Sequence, residues 1–259
     1  MRYLRNRCLL FLIAVGCALA GIAPMVIANQ DKQEKGPAIV VGDVKKGITR
    51  EKDQVIDPDN PPSGFDPKKE AGFTDCFVKV DCSFKASGKA VKDLGREGCI
   101  AEVTVKQVTV TPNLKITVSL PKAPGNDASQ ADKKKYAVLK AHEEGHARIC
   151  REVFEIVAKK IVDDVFKAFP RSFQLTVNPC TDAEIKKQQE ETLKALCDGL
   201  SKSAEDKIRE QLDKANHAYD TATHNGTTGG DGTSAATETN QDSAAAQAIK
   251  DQKKEFEKP

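Results

Sequence analysis

Two histidines four residues apart, with a glutamate directly after the first, stand in the stretch "KAHEEGHARIC" as His142, Glu143 and His146. Residues four apart on a helix project from the same face, so both imidazoles can reach one metal ion. Glu143 falls about a quarter-turn away, where it can take a proton from water without occupying the metal. Neutral imidazole suits Zn²⁺, and a site with three protein ligands keeps one position open. The bland alternative is a surface helix carrying two solvated histidines. It is disfavoured because both share an apolar stripe with Leu139, Ile149, Cys150, Val153, Val157 and Ile161. Unpaired imidazoles there would lose their hydration without return.

A third ligand must come from elsewhere in the chain. A metzincin would place Gly three and His six residues after the second histidine, but Ile149 and Glu152 occupy those positions. A gluzincin would draw a glutamate from a following helix, and Glu190, Glu191, Glu205 or Glu210 could serve. The other histidines are His217, read as an exposed helix residue, and His224, in the adaptable segment "YDTATHNGTTGG". His224 is the candidate third ligand. Tyr219 is either an oxyanion donor or a packing residue at a helix end. Asp220 could orient a ligand histidine, or be an exposed turn residue.

The elements that must position these groups read as follows. The segments "CFVKVDCSF" and "LKITVSL" alternate apolar and polar residues, as half-buried strands do. "CIAEVTVKQVTV" alternates too, but its phase slips between Val105 and Val108, which predicts a bulge near Lys106 and Gln107. "TPN" between the last two runs reads as a turn. A helix is expected from about Ala131 to Phe169, stopped by Pro170, then a short edge strand in "RSFQLTV". A second helix begins at Thr181, a good N-cap followed by Asp182 and Glu184, and reaches about Tyr219, with a break possible at Gly199. The expected fold class is therefore α+β, a small antiparallel sheet packed on two long helices.

Around this domain, taken as 73–228, lie three other segments. Residues 1–28 read as a signal peptide, with arginines, an apolar run and small residues; lipidation at Cys17 is the alternative. Residues 29–72 read as a polar linker or arm, and 229–259 as a disordered low-complexity tail. Once the signal is removed, Cys76, Cys82, Cys99, Cys150, Cys180 and Cys197 remain, an even set that predicts three disulfides in an exported protein. Sequence does not choose among the pairings. In an antiparallel helix pair, Cys150 and Cys197 would sit at similar depths, roughly 28 Å and 24 Å along their axes, which makes a bond between them feasible. The near balance of 40 basic and 38 acidic residues gives no argument for nucleic acid or an anionic membrane.

The pair of segments "AHEEGHARI" and "YDTATHNGTTGG" resembles the bacterial DUF922 proteins, described as predicted secreted zinc-dependent proteases. The resemblance spans roughly residues 74 to 230. It implies a zincin-like domain with His142, His146 and a downstream histidine as Zn²⁺ ligands, Glu143 as general base and Tyr219 near a peptide or protein substrate. In this chain Asn225 separates His224 from Gly226, and no tryptophan precedes the motif. The expected setting is periplasmic or extracellular. The competing expectation is an envelope binding or structural protein that keeps the scaffold with little or no turnover. Hydrolysis of a non-peptide amide would use the same site.

Overall fold

The buried residues of the central strand run Val103, Val105, then Val108, Val110, Pro112, Leu114, Ile116 and Val118. The switch from odd to even positions is the expected bulge: Ala86 pairs with Val105 and Lys85 with Gln107, leaving Lys106 without a partner on the neighbouring strand. In this computed structural model the described residues are 36–57, 59, 61, 71–225 and 237–258. The expected signal peptide and Cys17 lie outside them. In chain order the elements are β1 (Ala38–Val41), β2 (Ile48–Arg50), β3 (Gln54–Val55), β4 (Phe73–Asp93), β5 (Cys99–Leu120), α1 (Gln130–Phe166), β6 (Ser172–Val177), α2 (Asp182–Thr223) and α3 (Glu238–Phe256).

β5 is the spine of the sheet. One edge pairs with β4 along nearly its whole length, antiparallel. The other edge is covered in succession by β6, antiparallel, and by β1, β2 and β3, all parallel. The sheet is therefore mixed, where an antiparallel one was expected. The parallel strands come from the segment read as a linker, and at two to four residues each they are too short to show a period.

The turn expected at "TPN" is absent, and the alternation passes straight through it. Pro112 pairs with Val80 in β4, and the Val80 N–H points outward to Glu205 Oε1 of α2 at 2.9 Å. The pair is thus a non-hydrogen-bonded one, so the Pro112 nitrogen also faces away from β4. It meets the gap between β1, which ends opposite Val110, and β2, which begins opposite Leu114. No ladder bond is lost there, which is where proline is tolerated in a strand.

The inner face of the sheet packs on α1, whose start is capped by Ser129 accepting the Asp132 N–H. α2 starts as expected, with Thr181 accepting the Glu184 N–H, and runs unbroken through Gly199 to Thr223. It also closes the outer edge of β4 through Glu205. α3 corrects the expectation of a disordered tail. Ala245, Ala248, Ile249 and Gln252 form one buried stripe against α1 and α2, weak in apolar content but regular in spacing.

Among the described residues three disulfides join these layers: Cys76–Cys150 from β4 to α1, Cys82–Cys197 from β4 to α2, and Cys99–Cys180 from β5 to the residue before the α2 cap. The feasible Cys150–Cys197 bond does not form. Each helix instead bonds to the strand it covers, because Cys76 and Cys82 point from the inner face of β4 toward different helices. Three disulfides fit an extracellular or periplasmic setting. Among the described residues no helix is long and apolar enough to cross a membrane.

Candidate metal centre

The stretch of α1 from Ala141 to Cys150 is surrounded on several sides, so more than the expected stripe is buried. The start of β4 runs beside it: Thr74 donates to Glu143 Oε2 at 2.7 Å and lies 3.1 Å from the Glu143 carbonyl oxygen. Two turns further along α1, and one turn past His146, Cys76 is bonded to Cys150. From the arm, Arg50 makes a two-pronged contact with Glu144, at 2.6 and 2.7 Å. α1 is thus held by covalent, charged and hydroxyl contacts within one turn of either side of the histidines.

His142 and His146 bring their Nε2 atoms to 3.1 Å from each other. Asp220, in the last turn of α2, places Oδ1 2.9 Å from His146 Nε2 and 3.4 Å from His142 Nε2. Four bonds of about 2.0–2.1 Å in a tetrahedron set ligand atoms about 3.3 Å apart, so these three edges fit one ion of that size. Among the described residues this trio is the group able to hold a metal ion. His142 and Glu143 are each only 4% exposed, whereas the Asp220 side chain keeps 33% of its surface and marks the open side of the site.

The far nitrogens of both rings are also held. Gln241 Oε1 lies 3.1 Å from His142 Nδ1 and accepts the Tyr219 hydroxyl at 2.9 Å. That oxygen is therefore an acceptor, and the His142 nitrogen facing it carries the proton. Asn216 Oδ1 lies 2.9 Å from His146 Nδ1, with the amide nitrogen turned to Cys150 Sγ at 3.5 Å. Both Nε2 lone pairs then face Asp220. Three electron-rich atoms converge, and a cation is what such a cluster attracts.

The electrostatics describe the same cluster with a proton, rather than an ion, between its atoms. Burial works against the charged form of Asp220, yet the two histidines outweigh it and hold its carboxyl well below the ordinary range. Burial likewise opposes a charge on His146, but the Asp220 carboxylate prevails and raises its pKa. A proton shared between these groups occupies the place where a metal ion would compete for it. Glu143 is different: burial dominates and raises its pKa, opposed by the Thr74 hydrogen bond and by the two histidines.

Of the residues singled out from the sequence, His142, Glu143, His146 and Tyr219 come together. Tyr219 is fully buried, stacks on the His142 ring at 5.0 Å between centroids, and sets its hydroxyl 3.2 Å from the His142 carbonyl and on Gln241. His224 lies outside the convergent group. It is the C-cap of α2, in the left-handed conformation, and its N–H bonds back to the Asp220 carbonyl. Sequence reasoning put Asp220 at most behind a histidine, not beside the two Nε2 atoms. The spacing of Asn216 and Asp220 was the available signal: four apart on α2, they share a face. Gln241 had no signal, since it sits in the segment read as tail.

No curated protein and no solved structure gives a significant match to this chain. One family does match, over residues 66–229, and it carries the description "Bacterial protein of unknown function (DUF922)". The matched stretch holds β4, β5, α1, β6 and α2, hence both histidines and Asp220, and it covers well over half of the chain. The chain belongs to this family of bacterial proteins.

Proposed function

We propose that this protein is an exported zinc-dependent metallopeptidase with a zincin-like domain, which hydrolyses peptide bonds of a peptide or protein substrate. The observation that carries the proposal is the convergence of His142 Nε2, His146 Nε2 and Asp220 Oδ1 at 2.9–3.4 Å, with both Nδ1 atoms held by amide oxygens. His142, His146 and Asp220 would hold the ion; His224, the ligand expected from the sequence, is not required. When bound, Zn²⁺ supplies Lewis-acid polarisation of a carbonyl and acidifies water at neutral pH.

The protein's own groups do the rest. Asp220 brings a full negative charge to a largely buried site and sets its preference for a dication. Glu143, adjacent to His142 and with a pKa raised by burial, is suited to accept a proton and return it to a leaving amine. Thr74 holds that carboxyl in place. Tyr219 secures the His142 ring and the α1 backbone beneath it.

The test is metal analysis together with cleavage of a peptide library. The wild type should carry one zinc per chain and cleave. Glu143→Gln should keep zinc and lose cleavage by about 100-fold or more. Asp220→Ala should lose zinc, and His224→Ala should keep it. Equal cleavage by wild type and Glu143→Gln removes the catalytic reading, and zinc loss in His224→Ala alone removes Asp220 from the ligand set.

A second reading, a metal-binding envelope protein without turnover, draws on the enclosure of Glu143 and Tyr219 by β4 and α3. Stoichiometric zinc with no cleavage of any peptide would favour it.

A further inference from the structure

α3 begins at Glu238, beyond the family match that ends at residue 229, yet it reaches the metal centre. Gln241, in its first turn, is 1% exposed and, among the described residues, brings the nearest side-chain hydrogen-bond partner to His142 Nδ1, at 3.1 Å. Thr223 Oγ1 also approaches that nitrogen, at 3.4 Å, but donates its proton to the Tyr219 carbonyl at 2.8 Å. The helix carrying Gln241 is tied down along its length. Asp242 accepts from Arg148 at 2.6 Å, Gln252 donates to Gln211 at 2.6 Å, and Lys160 sits over the Phe256 ring at 4.9 Å.

We infer that Gln241 is a positioning residue of the metal centre: its side-chain oxygen holds His142 in the Nδ1–H tautomer, aiming Nε2 at the ion, so that α3 is a working part of the site. The inference rests on the reading of His142, His146 and Asp220 as zinc ligands. Its logic is general. A histidine ligand commonly donates its other N–H to an oxygen that fixes the tautomer and ring angle, and removing that partner weakens metal binding. His146 has such a partner in Asn216, from α2 within the family region. His142 takes its own from outside that region.

The full-length chain with Gln241→Leu, Gln241→Glu and Gln252→Ala substitutions tests this. Zinc affinity is measured by competition with a chromophoric chelator, and the His142 tautomer by nitrogen-15 NMR of the metal-free protein. Gln241→Leu should weaken zinc binding by about 10- to 100-fold and shift His142 away from the pure Nδ1–H form. Gln241→Glu, which keeps an acceptor oxygen, should restore both. Gln252→Ala, on the same buried face but bonded only to Gln211, should lower the melting temperature and leave zinc affinity and tautomer unchanged. Wild-type affinity and tautomer in Gln241→Leu overturn the inference, as does an equal loss in Gln252→Ala. If the wild type binds no zinc, the zinc reading fails, and the tautomer of Gln241→Leu alone then decides whether Gln241 orients the ring.

Discussion

A Cβ placed on Gly145 would lie 2.2 Å from the Tyr219 hydroxyl and 2.5 Å from its ring carbon. The glycine inside "HEEGH" is therefore a packing requirement rather than a chemical one: it lets Tyr219 lie against α1 between the two histidines. Gly145→Ala should destabilise the protein by about 1–3 kcal/mol in denaturant unfolding, despite alanine's better helix propensity, and should push Tyr219 off His142. Unchanged or increased stability would show that the tyrosine can yield freely. Glu143 carries a second prediction. Because burial raises its pKa, the folded state binds its proton more tightly than the unfolded state does. Stability tied to that proton is present at low pH and lost as pH rises through the folded-state pKa. Glu143→Gln should thus raise the melting temperature of the chelator-stripped protein at neutral pH. The gain should vanish below about pH 4, where the carboxyl is protonated in both states. A gain independent of pH would point to packing instead.

The elements are joined in ways that single segments do not announce. β4 has its outer edge against α2, and Glu205 accepts the Val80 N–H that would otherwise be left without a partner. Glu205→Ala should cost about 1–3 kcal/mol, measured by urea unfolding, because it removes a charged acceptor from a partly buried backbone donor. An effect within about 0.5 kcal/mol would mean that water replaces it. The Cys82–Cys197 bond closes the longest separation among the three disulfides, 115 residues. A Cys82→Ser/Cys197→Ser pair should lose about 2–5 kcal/mol, and zinc binding should survive, since the bond anchors α2 several turns from Asp220. Strands and helices were largely legible from apolar periods, including the β5 bulge at Lys106 and the α2 cap at Thr181. The misjudged places were those where a local rule met a tertiary exemption. "TPN" signals a turn unless the proline nitrogen faces a gap in the sheet, and three short arm strands have no period to read.

At the scale of the molecule, the site is assembled from four directions: α1 supplies the histidines, α2 the carboxylate, β4 the clamp on Glu143, and α3 the oxygen on His142. A chain ending at residue 236 should lose at least ~2 kcal/mol, because it uncovers the faces on which Ala245, Ala248 and Ile249 pack. An unchanged melting temperature would show α3 to be dispensable for stability. What the sequence by itself determined is whatever depends on neighbours along one element. Four-residue spacing puts His142 and His146 on one face, the cap residues start the helices, and an even cysteine set marks an oxidising setting. Only the tertiary structure decided the partner of that face and the cysteine pairing. Asp220 and His224 are four residues apart, and nothing local separates them as candidates. α2 runs on past Tyr219 to Thr223, which keeps Asp220 inside the helix on the side facing α1, whereas His224 ends it in a left-handed turn. The rotation of one long helix against another chose the carboxylate, and that rotation is set by packing along their whole lengths.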